Sequence, residues 1–157
     1  MSPFLEETVF SQVVASTPLI SIDLILKSPD NLILLGERLN KPAQGFWFVP
    51  GGRVYKNESL DNAFVRITET ELGSSFSRPN SQFLGVYEHF YNDSQFGAHL
   101  SDSSTHYVVL AYVINVSSTA SINPPNDQHG QYAWWRLDDI DNSTSVHRHT
   151  KDYFKIR

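Results

Sequence analysis

The densest run of chemistry-bearing residues lies between Gly52 and Gly73, where Arg53, Glu58, Arg66, Glu69 and Glu71 fall within 22 residues. Ser59 to Leu72 spaces Leu60, Ala63, Phe64 and Ile67 as one apolar stripe, which predicts a helix entered from a loop. On that helix positions 67 and 71 are four apart and share a face, whereas position 69 points nearly the opposite way. Glu71 is therefore the lone carboxylate of its face, with the apolar Ile67 one turn before it. Carboxylate oxygen suits a hard divalent cation. Farther along, Asn126-Asp127-Gln128-His129 brings an imidazole, whose unperturbed pKa near 6.5 lets it accept a proton at pH 7. Arg38 and Arg53 offer planar, permanently charged forks that suit phosphate oxygens. His147 and His149 stand two apart, but without a carboxylate cluster nearby they make a poor metal site.

These groups need a frame to hold them. Phe4 to Val14 places Leu5, Val9, Phe10 and Val13 at helical intervals, and Thr17-Pro18 stops that helix. From Leu19 to Lys27, Ile20, Ile22, Leu24 and Leu26 alternate with Ser21 and Asp23, which predicts a strand. Ser28-Pro29-Asp30-Asn31 is a turn, and a second strand covers Leu32 to Leu35. A loop from Gly36 to Gly45 leads to a short apolar strand, Phe46 to Val49, and on into Pro50-Gly51-Gly52. Asn57 or Ser59 caps the following helix and Gly73 closes it. Strands are predicted at Gln82 to Tyr91 and Thr105 to Val116, the second so apolar that it should be central and covered on both faces. Residues 92–104 and 117–130 are irregular, Tyr132 to Arg136 is a last strand, and two short helical pieces end the chain. The sum is an α+β domain, a mixed sheet with helices on its faces, spanning residues 1–157 as one unit.

Composition narrows the class. Forty per cent of the residues are hydrophobic, enough to build a core and to argue against disorder. A formal net charge of −5 provides no global field to draw in nucleic acid or an anionic membrane. A phosphorylated ligand would have to be held by a few basic residues in one pocket. With no cysteine there is neither a disulfide framework nor a thiolate metal site. No apolar leader or stretch of roughly 20 apolar residues occurs, so a cytoplasmic protein is expected.

The run from Gly52 to Gly73 resembles the Nudix signature G-x5-E-x7-R-E-U-x-E-E-x-G-U, where U is aliphatic. Gly52, Glu58, Arg66, Glu71 and Gly73 fall in register, while Ile67 and Thr70 replace two glutamates and Ser74 the closing aliphatic residue. This thinned pattern is similar to that of the GDP-mannose mannosyl hydrolases. Other segments share the likeness: Ser16-Thr17-Pro18-Leu19 with Asp23, Gly36-Glu37-Arg38-Leu39-Asn40-Lys41-Pro42, Trp47-Phe48-Val49-Pro50, Gly85-Val86-Tyr87-Glu88-His89 and Thr105-His106-Tyr107. The weakest correspondence is expected at residues 92–104 and in the carboxy-terminal tail.

The resemblance implies a Nudix fold, a mixed sheet sandwiched between helices in α/β/α order. It implies a homodimer that takes GDP-mannose or GDP-glucose and, with one Mg2+ (or Mn2+) per site, releases GDP and free sugar. Attack falls on the anomeric carbon with inversion. Glu71, the Gly51 carbonyl and Gln128 would hold the metal, and His129 would be the general base. Arg38 and Arg53 would meet the diphosphate with Tyr107, and Asp23 and His89 would face the sugar. Arg66 belongs to the binding set chiefly as a brace for the box carboxylates. Phe4 and Phe10 can reach a guanine, although packing of an amphipathic helix explains them as well. Two other functions fit the family pattern: a pyrophosphatase that cuts a nucleoside diphosphate sugar at phosphorus, and a catalytically inactive nucleotide-sugar-binding module.

Overall fold

The computed structural model describes residues 5–40, 43–92, 104–125 and 129–155, with the His129 side chain outside that description. Phe4, Gln128 and most of the 92–104 loop therefore lie outside the described residues.

The frame is a mixed seven-stranded sheet. Strand β1 (Leu19–Lys27) occupies its centre, with most of its residues buried. It runs parallel to β6 (Thr105–Asn115) along its whole length, from Leu19 opposite Tyr107 to Lys27 opposite Asn115. On its other side it pairs antiparallel with β2 (Ile33–Arg38) at one end and β4 (Gly51–Arg53) at the other. The main path is β3 (Trp47–Phe48), β2, β1, β6 and β5 (Gln82–Tyr91), with β7 (His129–Trp135) joined to β2. Because β2 and β4 share β1, the sheet splits at Asp23, which sits opposite Gly51. That split opens a gap beside Asp23 and Gly51.

Helix α2 (Leu60–Leu72) covers one face. The Ser59 hydroxyl accepts from the Asn62 N–H at 3.1 Å, and Gly73 turns left-handed at φ 71° to donate to the Glu69 carbonyl. Its stripe of Ala63, Phe64, Ile67 and Leu72 is buried against Ile22, Leu24 and Leu26 of β1 and Ile114 of β6. Burial of Phe64, Ile67 and Leu72 contributes roughly 1.5–3 kcal/mol each. The opposite face holds a second cluster, in which Ile25, Leu35 and Ala111 meet Ile140 of α3 (Leu137–Asn142), Val146 and Tyr153. Helices therefore lie on both faces, as the α/β/α expectation had it.

Several elements differ from their expected form: β4 was not expected as a strand, and β7 begins at His129, inside the stretch read as irregular, because β2 pairs with it as far as Arg38. Helix α1 begins at Glu7, three residues later than expected, ends at Ser16 just before the Thr17-Pro18 stop, and buries no side chain. Strand β2 runs on to Arg38, because β3 and β7 supply partners past the apolar run. Strand β6 is central but only partly covered. Ile20, Val86 and Phe90, which share its α2-side face through their registers, are 49%, 56% and 54% exposed.

Candidate active site

At the split between β2 and β4, Ser21, Asp23, Arg38, Phe48, Gly51, Gly52, Arg53, His89, Tyr91 and Tyr107 line a cavity of about 100 Å³. Chain connectivity explains why they meet. Asp23 lies at mid-strand on β1, Tyr107 and His89 lie opposite each other on β6 and β5, and the glycines follow β3 through Pro50. Among the described residues, a larger groove of about 670 Å³ beside Phe76 and Gln82 has no ionisable side chain in its lining.

Among the described residues, Asp23 is the one acid of the cavity lining. Its Oδ2 accepts a hydrogen bond from the Tyr153 hydroxyl. Burial pushes its carboxyl up to about 7, against the pull of Tyr153 and the Arg38 charge. Gly51 has to be glycine at this point. A Cβ there would collide with Asp23 Oδ1 and stand 2.6 Å from the Ile22 carbonyl oxygen.

The basic groups surround that carboxylate. Arg38 ends β2, with its Nε donating to the Asn40 carbonyl at 3.4 Å and its guanidinium 5.7 Å from the Phe48 ring. Arg53 lies over two aromatic rings, Phe10 at 4.6 Å and Tyr55 at 5.1 Å. Phe10 thus braces an arginine of the cavity. Both guanidinium charges act on Tyr107, whose phenol burial raises above the usual tyrosine range while the arginines pull it back.

Arg66 is already engaged. Its Nε and Nη2 donate to Glu58 at 2.7 and 2.9 Å, Nη2 also donates to the Arg53 carbonyl at 2.8 Å, and its plane lies 3.8 Å from the Tyr55 ring. Glu58 in turn accepts from the Tyr55 N–H at 3.0 Å. The bidentate pair locks the loop that carries Arg53 onto the helix.

Glu71 lies outside the cavity lining, on the buried face of α2, and is 6% exposed. Its charge acts on Arg66. One turn earlier Ile67 is 1% exposed, with its Cγ1 3.1 Å from where a Gly52 Cβ would stand. The position where the Nudix signature carries a glutamate is thus filled by packed hydrocarbon. Among the described residues no three acidic or histidine side chains converge as a metal cage. A buried carboxylate on the helix that packs Ile67 against Gly52 fits a hard cation that takes most of its ligands from water and substrate phosphates, as Mg2+ does. Backbone pairing of His129 with Arg38 brings the β7 strand end to the cavity's rim.

Sequence reasoning missed the aromatic wall. His89 is 5% exposed and its ring stacks on His149 at 4.3 Å and 7°. Burial, followed by the neighbouring His149 and His147, lowers its pKa to about 3, so it is neutral at pH 7. His147 stacks on Phe48 at 4.7 Å, and Tyr91 meets His149 edge-on at 5.0 Å. The His147-x-His149 pair therefore packs against rings of the site. Only the aromatic content of the tail hinted at this.

A mixed sheet that splits beside a glycine loop, with a helix tied to that loop by Arg66 and Glu58, defines a Nudix domain. The chain belongs to this family: the NUDIX domain matches residues 17–155. It is 40% identical over 104 residues to the Low-salt glycan biosynthesis protein Agl8 of Haloferax volcanii, a match covering 66% of this chain and 63% of that protein. It is 26% identical over 118 residues to the uncharacterized Nudix hydrolase YvcI of Bacillus subtilis, covering 75% and 66%. The matched stretch thus spans just under two thirds of either curated relative. A solved structure of a MutT NUDIX hydrolase from Burkholderia pseudomallei superposes with a TM-score of 0.66 at 26% identity, covering 88% of this chain and 96% of that one.

Proposed function

We propose that this Nudix protein hydrolyses a GDP-hexose, GDP-mannose or GDP-glucose, at the sugar's anomeric carbon, giving GDP and free hexose with inversion. The observation that carries the reading is Ile67, packed against Gly52 where the signature has a glutamate. It leaves Glu71 as the lone acid of its helix face, too few carboxylates to assemble several metals for attack on phosphorus. The relative named for glycan biosynthesis favours a sugar-bearing substrate.

The cation would be held by Glu71, the Gly51 carbonyl and Gln128 together with the diphosphate, one Mg2+ or Mn2+ per site. When bound, it would neutralise the diphosphate and make GDP a stable leaving anion. A glycosidase ordinarily protonates its leaving group with a carboxylic acid. With GDP neutralised that proton is dispensable, and the essential remainder is a base and fixed positive charge. In this reading His129 takes the proton of the attacking water. Arg38, Arg53 and Tyr107 stabilise charge growing on the diphosphate, and Asp23 faces the sugar, where its carboxylate steadies oxocarbenium character. His89 borders the sugar as a neutral ring, and Arg66 holds the loop through Glu58. Phe10, and Phe4 near it in sequence, complete the nucleotide side, with a homodimer carried over from the resemblance.

Product analysis separates this from the pyrophosphatase reading. Incubation of GDP-mannose with Mg2+ is expected to give intact GDP and mannose. GMP with mannose 1-phosphate would instead indicate phosphorus attack, and tight binding without turnover a nucleotide-sugar-binding module.

A further inference from the structure

The carboxy-terminal segment is stitched to the strand that enters the glycine loop. Trp47 N–H donates to the Ser145 carbonyl at 2.9 Å, and His147 N–H to the Trp47 carbonyl at 3.1 Å. Val49 N–H donates to Thr150 Oγ1 at 3.2 Å. Val146 and Thr150 are 3% and 1% exposed, so this seam is dry and holds its geometry. From it, His147, helix α4 (Arg148–Lys151) and a single turn, Asp152–Phe154, bring three rings behind residues that line the cavity: His147 stacks on Phe48, His149 stacks on His89, and Tyr153, edge-on to Tyr87 at 4.7 Å, reaches Asp23 with its hydroxyl.

We propose that this segment builds the wall of the hexose subsite and that Tyr153 is a positioning residue, whose hydroxyl fixes the Asp23 carboxylate for the sugar. The inference rests on the GDP-hexose reading for its substrate and on the following contacts for its geometry. Tyr153 is 6% exposed, and its hydroxyl donates to Asp23 Oδ2 while lying 3.4 Å from His89 Nε2. A phenol has one proton. With that proton given to ionised Asp23, the oxygen can only accept from His89, which sets the Nε2–H tautomer. On the far side of the stack, the nitrogen His149 Nε2 lies 3.2 Å from the Phe90 carbonyl and donates to it, so that ring cannot turn.

The series His149, His89, Tyr153, Asp23 therefore leaves the acid one orientation. Oδ2 is committed, and Oδ1 is the oxygen turned toward Gly51. A carboxylate free to rotate would spread its acceptor directions, whereas a fixed one meets a sugar hydroxyl or a developing positive charge without reorganising. A tyrosine held only for packing would not need its hydroxyl on an acid.

The test uses the full chain and Tyr153→Phe, which keeps the ring and removes only the hydroxyl. For GDP-mannose hydrolysis kcat is expected to fall roughly tenfold to a hundredfold, the range for a hydrogen bond to a charged group. KM, and the affinity for GDP, which lacks the sugar, should change by less than about twofold. The double variant Asp23→Asn/Tyr153→Phe should be no slower than Asp23→Asn alone. Unchanged kcat, additive losses, or a fall in GDP affinity that follows a fall in melting temperature would each overturn the positioning role. So would a Tyr153→Phe chain that fails to fold, since that would make the hydroxyl structural. If the unaltered protein turns over no GDP-hexose, the functional reading is what fails. The geometric claim is then decided by urea unfolding of the same four proteins: coupling between positions 23 and 153 supports it, and its absence overturns it.

Discussion

Replacing Glu71 with glutamine is expected to lower kcat/KM at least about a hundredfold while leaving the protein folded. The magnitude is that of losing one major charge-stabilising group at a reacting centre. The substitution keeps the shape of a side chain that is only 6% exposed, so packing against α2's neighbours survives. Because Ile67 occupies the position one turn before, no second carboxylate of that face can take over. Chelation of the unaltered protein should reproduce the loss, and added Mg2+ should restore the unaltered protein but not the variant. Steady-state kinetics across a metal titration, with circular dichroism to check folding, reads the result. Full activity in the variant would remove Glu71 from the site.

The second large effect has opposite signs in two measurements. Asp23→Asn is expected to abolish most turnover and yet to raise the melting temperature at pH 8. The reason is the buried charge. The Asp23 carboxyl is raised from 3.8 to about 7 in the folded protein, so the fold binds its proton more tightly than the unfolded chain does. Below about pH 4 both states are protonated and the charge costs nothing. Stability then declines as pH rises from about 4 to 7, and above 7 the full cost remains. At 1.36 kcal/mol per pH unit the limit is about 4 kcal/mol, and partial contact with solvent through the cavity mouth reduces it to about 2 kcal/mol. For a chain of this size that corresponds to roughly 4–8 °C in Tm. The gain should be largest at pH 8 and absent near pH 4. Thermal melts of both proteins at those two values decide it, and a variant less stable at pH 8 would contradict the burial argument. A site that gains stability when disarmed is one held under electrostatic strain for function.

How much of this was legible in the chain follows from where each interaction is encoded. Strand β1 and helix α2 were read nearly to the residue, because alternation, the Ser59 cap and the Gly73 terminator are local signals. The Glu58–Arg66 pair was legible too, since loop and helix lie only eight residues apart. Strand β4 was not foreseen. Gly51-Gly52-Arg53 has no strand propensity, and its pairing is supplied by β1 from about thirty residues earlier. Continuous apolar sequence in β6 suggested full cover on both faces, but periodicity cannot say how much of each face its neighbours cover, and Ile20, Val86 and Phe90 stay exposed.

The site shows the same division. Asp23, Arg38, Arg53, His89 and Tyr107 are implied by the family resemblance, and all five line one cavity. Tyr153 was missed, since its partner Asp23 lies 130 positions away and nothing local distinguishes it from a core tyrosine. His147 and His149 were weighed as metal ligands and instead form part of an aromatic wall, a role that only their packing against Phe48 and His89 reveals.

The central claim is that the bond broken is the one between the anomeric carbon and the diphosphate oxygen. Turnover of GDP-mannose with Mg2+ in 18O-water, followed by mass spectrometry of both products, tests it directly. The account requires the label in the hexose and unlabelled GDP; label in a phosphate group would contradict it.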